Sequence, residues 1–401
     1  MNCDVGLDIY AGGPEALSVG SVTFFDSAIS DTRIGIRTGY TNSSQPPTAN
    51  SLIVENVSLL NVPIAIENGH NRTQLVGTPA RSYIAAYGQG HAYQTTGPNQ
   101  FQGFFEPVSR PASLLQADGR YYQRSKPQYE DYTLDNVISA RDAGVTGNGR
   151  DDDTVALQKA IYDSVTQEKV LFVDHGDYLV SSTIHIPAGA KIVGETYSVI
   201  LSYGEYFNDI NNPQAVVRIG KPGETGVIEW TDMIVSTQGQ QRGAVLFEYN
   251  LNSPSSTPSG IWDVHARIGG FTGSKQTLAE CPTTPNRTIT TTANSTISAN
   301  FTNSANNPCI AAYLTFHITP SASGLYMEND WIWTADHDIE VPDLDQITLY
   351  TGRGLLVDSE IGVLWFVGTA VEHNVKYEYQ FVNTKDIFAG QVSVSREVST
   401  F

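Results

Sequence analysis

The chain has 401 residues, of which 40% are hydrophobic and 10% aromatic, and this composition excludes a disordered protein. Its formal net charge is −19, with only 23 Lys plus Arg and no basic cluster. Phosphate binding needs clustered cations, so nucleic acid is excluded as a partner. The sequence also lacks the run of about 18 apolar residues that a membrane-spanning helix requires.

Near the start of the chain, two segments repeat each other without a gap. DSAISDTRIGIRTG (Asp26–Gly39) aligns with NVSLLNVPIAIENG (Asn56–Gly69), so that Ile34 matches Ile64 and each segment ends in a polar turn. The two segments lie 30 residues apart. Short alternating strands at this spacing predict a parallel β-helix, in which inward residues stack between coils. A β-sandwich is the competing all-β interpretation, but it does not predict an ungapped repeat.

Residues 107–131 interrupt the alternation with a proline-containing, Arg/Lys-richer segment, which predicts a linker crossing a surface. Residues 151–167 then carry the pattern of an amphipathic helix with Asp153 as its N-cap. A calcium loop is the less favoured interpretation of the Asp151–Asp153 triplet. The apolar residues that can share one face of this helix are Val155, Leu157, Ala160, Ile161 and Val165.

A second series of alternating segments runs from the helix to the C-terminus. The predicted organisation is therefore an all-β chain with two β-helical units. Residues 1–106 form a first, incomplete unit, 107–131 the linker, and 132–401 the second unit.

Cys281 and Cys309 flank a Thr/Ser/Asn-rich insertion in the second unit. We predict a disulfide across the base of this insertion, with two buried thiols as the alternative. Cys3 is then left unpaired. Asn-X-Ser/Thr triplets, such as those at Asn286 and Asn300, would allow glycosylation in a secreted protein.

Several longer blocks resemble one family. SARDAGVTGNGRDDDTVALQKAI resembles the opening cap of pectate-lyase-like β-helix domains. SKPQYEDY, GIWDVHARIGGFTG, MENDWIWTADHDIE and GTAVEHNVKYEYQFVNTKDIFAGQ resemble fungal glycoside hydrolase family 55. Members of that family are exo-acting β-1,3-glucanases with two tandem right-handed parallel β-helices. The similarity extends from near residue 3 to about Gln391. Family members are longer, so the resemblance implies a chain truncated at both ends.

The resemblance implies hydrolysis of β-1,3-glucosidic bonds with inversion, which needs an acid for the leaving oxygen and a group that activates water. Glu372 matches the family glutamate that holds or activates this water. By spacing, Ser395 occupies the position of the family's general acid. Glu397, two residues further, is the doubtful substitute acid. A non-catalytic glucan-binding protein is therefore the alternative prediction.

Candidate sugar-binding residues lie in the same blocks, because aromatic rings stack on sugars and carboxylates accept hydroxyl hydrogen bonds. They are Trp331, Trp333, Asp336, Asp338, Tyr350 and His373. His265 is interpreted as a hydrogen-bonded interior histidine rather than an acid or base.

No cofactor or metal is expected, and the predicted partner is β-1,3-glucan. A neutral polymer of this kind suits an acidic chain. The first residues show no signal peptide, so an extracellular, monomeric protein is inferred from the family alone.

Overall fold

The computed structural model describes residues 3–9, 20–41, 44, 49–70, 72–282 and 307–395. It divides into two compact units, Met1–Tyr121 and Tyr122–Phe401, and each is considered by itself. Both are built from β-strands, and the described residues contain a single α-helix. None of the described helices is long and apolar enough to span a membrane.

The first unit is one six-stranded sheet that begins with parallel strands and ends with antiparallel ones. Its strands are β1 (Val5–Ile9), β2 (Ser21–Ser30), β3 (Ile34–Thr38), β4 (Ser51–Asn68), β5 (Thr73–Gln94) and β6 (Gly97–Phe104). β2 and β3 both pair in parallel with β4, whereas β5 runs antiparallel to β4 and β6 antiparallel to β5. Two coils therefore stack before the chain folds back on itself.

The register between these coils is the one that the sequence repeat predicts. Ile34 pairs with Ile64 in the parallel ladder. The side chain of Asn56 donates a hydrogen bond to Asp26, 30 residues earlier in the chain. Asp26 also accepts two hydrogen bonds from Arg110 and one from the backbone N–H of Tyr121. This carboxylate thereby fixes the segment that follows β6, which contains a 3₁₀ turn at Ala112–Leu114.

The second unit contains the remaining elements. They are a 3₁₀ turn (Leu134–Asn136), β7 (Val137–Ser139), β8 (Asn148–Asp152), α1 (Thr154–Thr166), β9 (Val170–Val173), β10 (Gly176–Val180), β11 (Ile184–Ile186), β12 (Lys191–Ser202), a 3₁₀ turn (Glu205–Phe207), β13 (Gln214–Ile219), β14 (Glu229–Thr237), β15 (Ala244–Tyr249), β16 (Ser259–Ile268), β17 (Ile310–Ala312), β18 (Leu314–Ile318), β19 (Ser323–Glu328), β20 (Trp331–Thr334), β21 (Tyr350–Thr351), β22 (Leu355–Val357), β23 (Gly362–Val367), β24 (Ala370–Glu372), β25 (Tyr379–Phe381), β26 (Ile387–Gly390) and β27 (Ser393–Ser395).

Parallel ladders arrange these strands into three faces. Face A contains β7, β9, β19, β23, β26 and the first halves of β12, β14 and β16. Face B contains β8, β10, β20, β24, β27 and the second halves of β12, β14 and β16. Face C contains β11, β13, β15, β18, β22 and β25. The predicted parallel β-helix is thus confirmed.

The corner between faces A and B repeats on successive coils. Asp232, Asp263 and Asn329 all adopt the left-handed backbone conformation there, with φ values of 58°, 53° and 59°. Asn and Asp tolerate this conformation better than most residues because their short side chains bond locally. Asn329 donates to Asp263 across the coils, and Lys126 donates to both aspartates. The corner is therefore stabilised by a ladder of hydrogen bonds.

Helix α1 begins where the sequence pattern predicts, but two details differ. Its buried residues are Leu157, Ala160, Ile161 and Ser164. Val155 is 82% exposed, so its placement on the buried face was wrong. Asp153 is the N-cap residue, yet its side chain makes no cap bond. The carboxylate instead accepts the backbone N–H groups of Thr146 and Gly147, because it is buried against the preceding loop.

The interior of the second unit is a column of stacked apolar side chains. Inward residues of all three faces form one buried cluster. Phe247 and Phe316 on face C are an example of this stacking. They pair in register, and their ring centroids lie 5.0 Å apart. Like side chains meet on successive coils because the parallel register repeats. Burying a ring of this size contributes roughly 2–3 kcal/mol relative to exposure.

Residues 122–132 lie along the outside of face A. Tyr122 packs on Trp365, with ring centroids 5.0 Å apart. Arg124 and Tyr129 both bond to the carboxylate of Glu229. This segment is therefore held by aromatic packing and charge pairing rather than by strand pairing.

A disulfide joins Cys281 and Cys309, which are 28 residues apart. Both are buried in a small cluster with Trp333, Ile347 and neighbouring apolar residues. The bridge therefore closes a long excursion between β16 and β17 at the side of face B.

We expect the double variant Cys281→Ala/Cys309→Ala to lower the free energy of unfolding by about 3 kcal/mol, because closing a loop of this length restricts the unfolded chain. Denaturant titration of wild type and variant measures the difference. Cys3→Ala is the matched control, since Cys3 is exposed and free, and it should leave the midpoint unchanged. An unchanged midpoint in the double variant would contradict a stabilising role of the bridge.

Asp330 is a buried carboxyl group at the start of β20, only 1% exposed. Its Oδ1 accepts the backbone N–H of Val264 at 3.0 Å, and its Oδ2 has no hydrogen-bond partner among the described residues. Burial raises its pKa well above the usual 3.8, and the nearby carboxylates of Asp263 and Glu328 raise it further. Burial therefore favours the protonated form of Asp330.

We expect Asp330→Asn to stabilise the protein at pH 7 and to have little effect near pH 4. The folded chain retains a proton that the unfolded chain releases, so this group's contribution to stability is complete below pH about 4 and falls as pH rises toward the folded pKa. The loss is about 1.4 kcal/mol for each pH unit between the two pKa values. Thermal unfolding of both proteins at several pH values tests this. A constant difference at all pH values would show that folding does not raise the pKa of Asp330.

Candidate active site

Glu372 ends β24 on face B, where the register aligns one outward position of four coils. Arg267 pairs with Trp333, Trp333 with Glu372, and Glu372 with Ser395. Adjacent parallel strands lie about 4.8 Å apart. The positions therefore form a column, which we call the Glu372 column, and they come from segments far apart in the sequence.

An aromatic platform lies beside Glu372. The indole Nε1–H of Trp331 donates a hydrogen bond to Glu372 Oε2 at 2.9 Å. Trp331 stacks on Trp333, with centroids 4.7 Å apart and planes 19° from parallel. Trp331 is 41% exposed whereas Trp333 is only 4% exposed. The site therefore presents one open aromatic ring with a fixed carboxylate at its edge.

The platform is supported from behind. Trp333 packs in the cluster that contains both disulfide cysteines. The backbone N–H of Trp331 donates to His265 Nδ1 at 3.0 Å. His265 is largely enclosed, and this burial lowers its pKa. Because Nδ1 accepts a hydrogen bond, the neutral ring carries its proton on Nε2. His265 is hydrogen-bonded, as predicted; that it does not act as an acid or base stays a prediction.

The chain turns sharply after Glu372. His373 has a left-handed φ of 64°, and Asn374 Nδ2 donates to the carbonyl oxygen of Glu372 and to Glu378. Tyr379 donates its hydroxyl to the carbonyl oxygen of Thr369 at 2.7 Å. Burial raises the pKa of Tyr379, and the carboxylates of Glu372 and Glu378 add to this effect. The backbone around Glu372 is thus held by side-chain bonds on both sides.

Asp336 and Asp338 follow Trp333 in the sequence, but their carboxylates have different hydrogen-bond partners. Asp336 bonds to Nδ1 of His337 at 2.8 Å, and the His337 ring lies 5.3 Å from the ring of Trp333. Asp338 is only 2% exposed. Its carboxylate accepts the backbone N–H groups of Leu278 and Glu340. Asp336 therefore lies next to the platform, whereas Asp338 is enclosed and anchors a loop.

The other predicted residues are distributed around the platform or lie beyond the described chain. Tyr350 packs against the disulfide cluster, and its backbone N–H donates to the carbonyl oxygen of Cys309. Glu397 lies outside the described residues. Ser395 is placed only by its strand register. Arg267 was missed by sequence reasoning, because β16 also contains the polar residues Asp263 and His265 and its one cation does not stand out.

The described residues contain no group of three or more His, Cys, Asp or Glu side chains placed to hold a metal ion. The Asp151–Asp153 triplet illustrates why. Asp151 bonds to Asn148, Asp152 to Thr154 and Ser181, and Asp153 faces the preceding loop. Each of the three carboxylates therefore has its own hydrogen-bond partners.

Comparison with known proteins gives one family and several relatives. Residues 137–217 match the family described as "Rhamnogalacturonase A/epimerase, pectate lyase-like". The chain is 40% identical over 394 residues to the glucan 1,3-beta-glucosidase of Cochliobolus carbonum, covering 98% of this chain and 47% of that protein. It is 28% identical over 298 residues to the glucan endo-1,3-beta-glucosidase BGN13.1 of Trichoderma harzianum, covering 72% of this chain and 35% of that protein.

A third relative has a different name. The chain is 32% identical over 400 residues to the non-secreted LysM effector LysM15 of Penicillium expansum, covering 98% of this chain and 27% of that protein. In each comparison the chain spans less than half of the relative's length. The match to the Cochliobolus protein nevertheless extends over nearly all of this chain. The chain is therefore a relative of the fungal β-1,3-glucan glucosidases with a pectate-lyase-like β-helix, as its sequence predicts.

Proposed function

We propose that this chain is part of an extracellular β-1,3-glucan hydrolase of the inverting, exo-acting kind, and that it binds glucan on the Trp331–Trp333 platform. The observation that carries the proposal is the hydrogen bond from exposed Trp331 to Glu372. It places a carboxylate at the edge of an aromatic surface that suits the apolar face of glucose. The names of the relatives in Cochliobolus and Trichoderma support the same substrate.

Glu372 is the proposed residue that holds or activates the attacking water. An inverting glycosidase keeps this carboxylate and its general acid about 6.5–9.5 Å apart, so that water fits between base and sugar. Side chains on adjacent coils of a column are suitably close for this arrangement. His373 and Asp336 flank Glu372 and the platform, and we propose that they bond to sugar hydroxyls. We propose Tyr350 as a more distant sugar-binding residue, whereas Asp338 anchors a loop.

The identity of the general acid decides between two functions. Ser395 is the register partner of Glu372 on the next coil. A serine hydroxyl does not protonate a glycosidic oxygen usefully, because its pKa is far too high. Glu397 is the remaining proposed acid. If it cannot act, the chain is a glucan-binding protein without hydrolytic activity, and the serine in the Glu372 column favours this second candidate.

The remaining features agree with an extracellular protein that acts on a neutral polymer, and we propose that it is a monomer. The net charge of −19 disfavours polyanionic substrates. The disulfide between Cys281 and Cys309 suits an oxidising compartment. Both location and oligomeric state belong to this proposal.

For the enzyme, we expect Glu372→Gln to reduce glucose release from laminarin at least 100-fold, because the water loses its base. The assay compares released glucose from wild type and variant, with circular dichroism confirming that both are folded. Glu360→Gln is the matched control, since Glu360 is exposed at a turn beyond face C. Unchanged release by Glu372→Gln would refute its role. No release by folded wild type would leave the binding protein as the function.

We expect Trp331→Ala to weaken the binding of laminari-oligosaccharides about tenfold, because it removes the exposed ring. Isothermal titration measures the dissociation constants. Trp331→Phe retains a ring but loses the bond to Glu372, so it should lose less affinity. Tyr162→Ala removes an exposed aromatic ring from α1 and should have no effect. Equal affinity of wild type and Trp331→Ala would exclude the platform as the glucan site.

A further inference from the structure

Arg267 occupies the Glu372 column, two coils from Glu372 and one coil from Trp333. At about 4.8 Å for each coil, its Cα lies roughly 10 Å from that of Glu372. The outward face of these coils therefore carries, in order, a guanidinium group, the aromatic platform and the proposed catalytic carboxylate.

The guanidinium group of Arg267 has two nitrogen atoms without a hydrogen-bond partner in the described part of the chain. These atoms, Nε and Nη2, are buried. Burial lowers its pKa, and the neighbouring groups that oppose this effect include Tyr197, Glu340 and Asp177. Leaving buried donors without partners is energetically unfavourable. The fold retains this cost at a position aligned with the candidate active site.

Phe271 fixes the position of the guanidinium. The Arg267 Cζ atom lies 4.7 Å from the centre of the Phe271 ring. The same phenylalanine covers the apolar outward residues of the preceding coils. These residues are Leu179, Val199, Leu201 and Ile234. Arg267 thus lies at the border between a closed apolar patch and the open ring of Trp331.

A purely structural role does not explain this arrangement. Arginines that stabilise this unit have bonded guanidinium groups: Arg218 pairs with Glu248 at 2.7 Å, and Arg353 donates to the carbonyl oxygen of Tyr313. Arg267 has carboxylates in electrostatic range but bonds to none of them in the described structure. Those carboxylates would repel an anionic ligand, whereas sugar hydroxyls can accept from the guanidinium N–H groups and donate to the carboxylates.

We propose that Arg267, stacked on Phe271, forms a further glucose-binding subsite, which holds a sugar unit of the glucan beyond the one on the Trp331–Trp333 platform. The inference rests on the proposed glucan binding and deepens it. The subsite makes affinity depend on the length of the oligosaccharide.

The test measures dissociation constants for laminaribiose, laminaritetraose and laminarihexaose by isothermal titration. All proteins carry Glu372→Gln to prevent turnover. Arg267→Met retains much of the apolar stem, and Arg353→Met is the matched control because it removes another arginine stacked on an aromatic ring. Thermal unfolding of each variant establishes that it is folded.

We expect Arg267→Met to weaken binding of the two longer ligands about tenfold, as expected for lost charge-assisted hydrogen bonds. Laminaribiose affinity should change less than about twofold, and Arg353→Met should match the parent protein. Equal affinity of Arg267→Met and parent for every length would overturn the subsite and leave the proposed function intact. An equal loss for every length would also overturn it. No binding of any ligand by the parent would overturn both the subsite and glucan binding.

Discussion

In-register pairing of parallel coils is the constraint on which the second unit depends. Backbone hydrogen bonds hold each coil directly on the last, so every position repeats its direction from coil to coil. Inward positions then stack into the apolar column, as Phe247 and Phe316 do. Outward positions stack equally well, and this produces the column of Arg267, Trp333 and Glu372.

The same register explains how the fold accommodates polar groups that would otherwise be costly. Corner residues such as Asp232 and Asp263 bond to Lys126 from outside, and Asn329 extends the ladder. Asp330, next to this corner, is buried, and its pKa is raised. Burial penalises the charged form of a carboxyl group, so it favours the neutral form here.

The site depends on packing as well as on register. Trp333 lies against the disulfide cluster and supports the ring of Trp331, and Trp331 in turn bonds to Glu372. The cluster that contains Cys281 and Cys309 therefore supports Glu372 indirectly, through Trp333 and Trp331. A carboxylate that is bonded to a supported ring is held in a fixed position.

The sequence alone was sufficient for the β-helical class and for the register of the parallel ladders in the first unit, but not for its antiparallel strands β5 and β6. The match of Ile34 to Ile64 can be recognised in the sequence, because coils of equal length produce a repeat without gaps. The start of α1 was equally predictable, although the exposure of Val155 and the inward turn of Asp153 were not. Those outcomes depend on which neighbours lie against the helix.

Only the tertiary structure decided which candidate residues meet. Coils of unequal length separate Arg267, Trp333 and Glu372 in the sequence, so no fixed spacing shows that they share a column. Asp338 looked equivalent to Asp336 in the same short motif, yet a loop encloses it. Sequence patterns specify the direction of each side chain along one strand. Which strands become neighbours is set by the stacking of whole coils, and that is decided only when the chain folds.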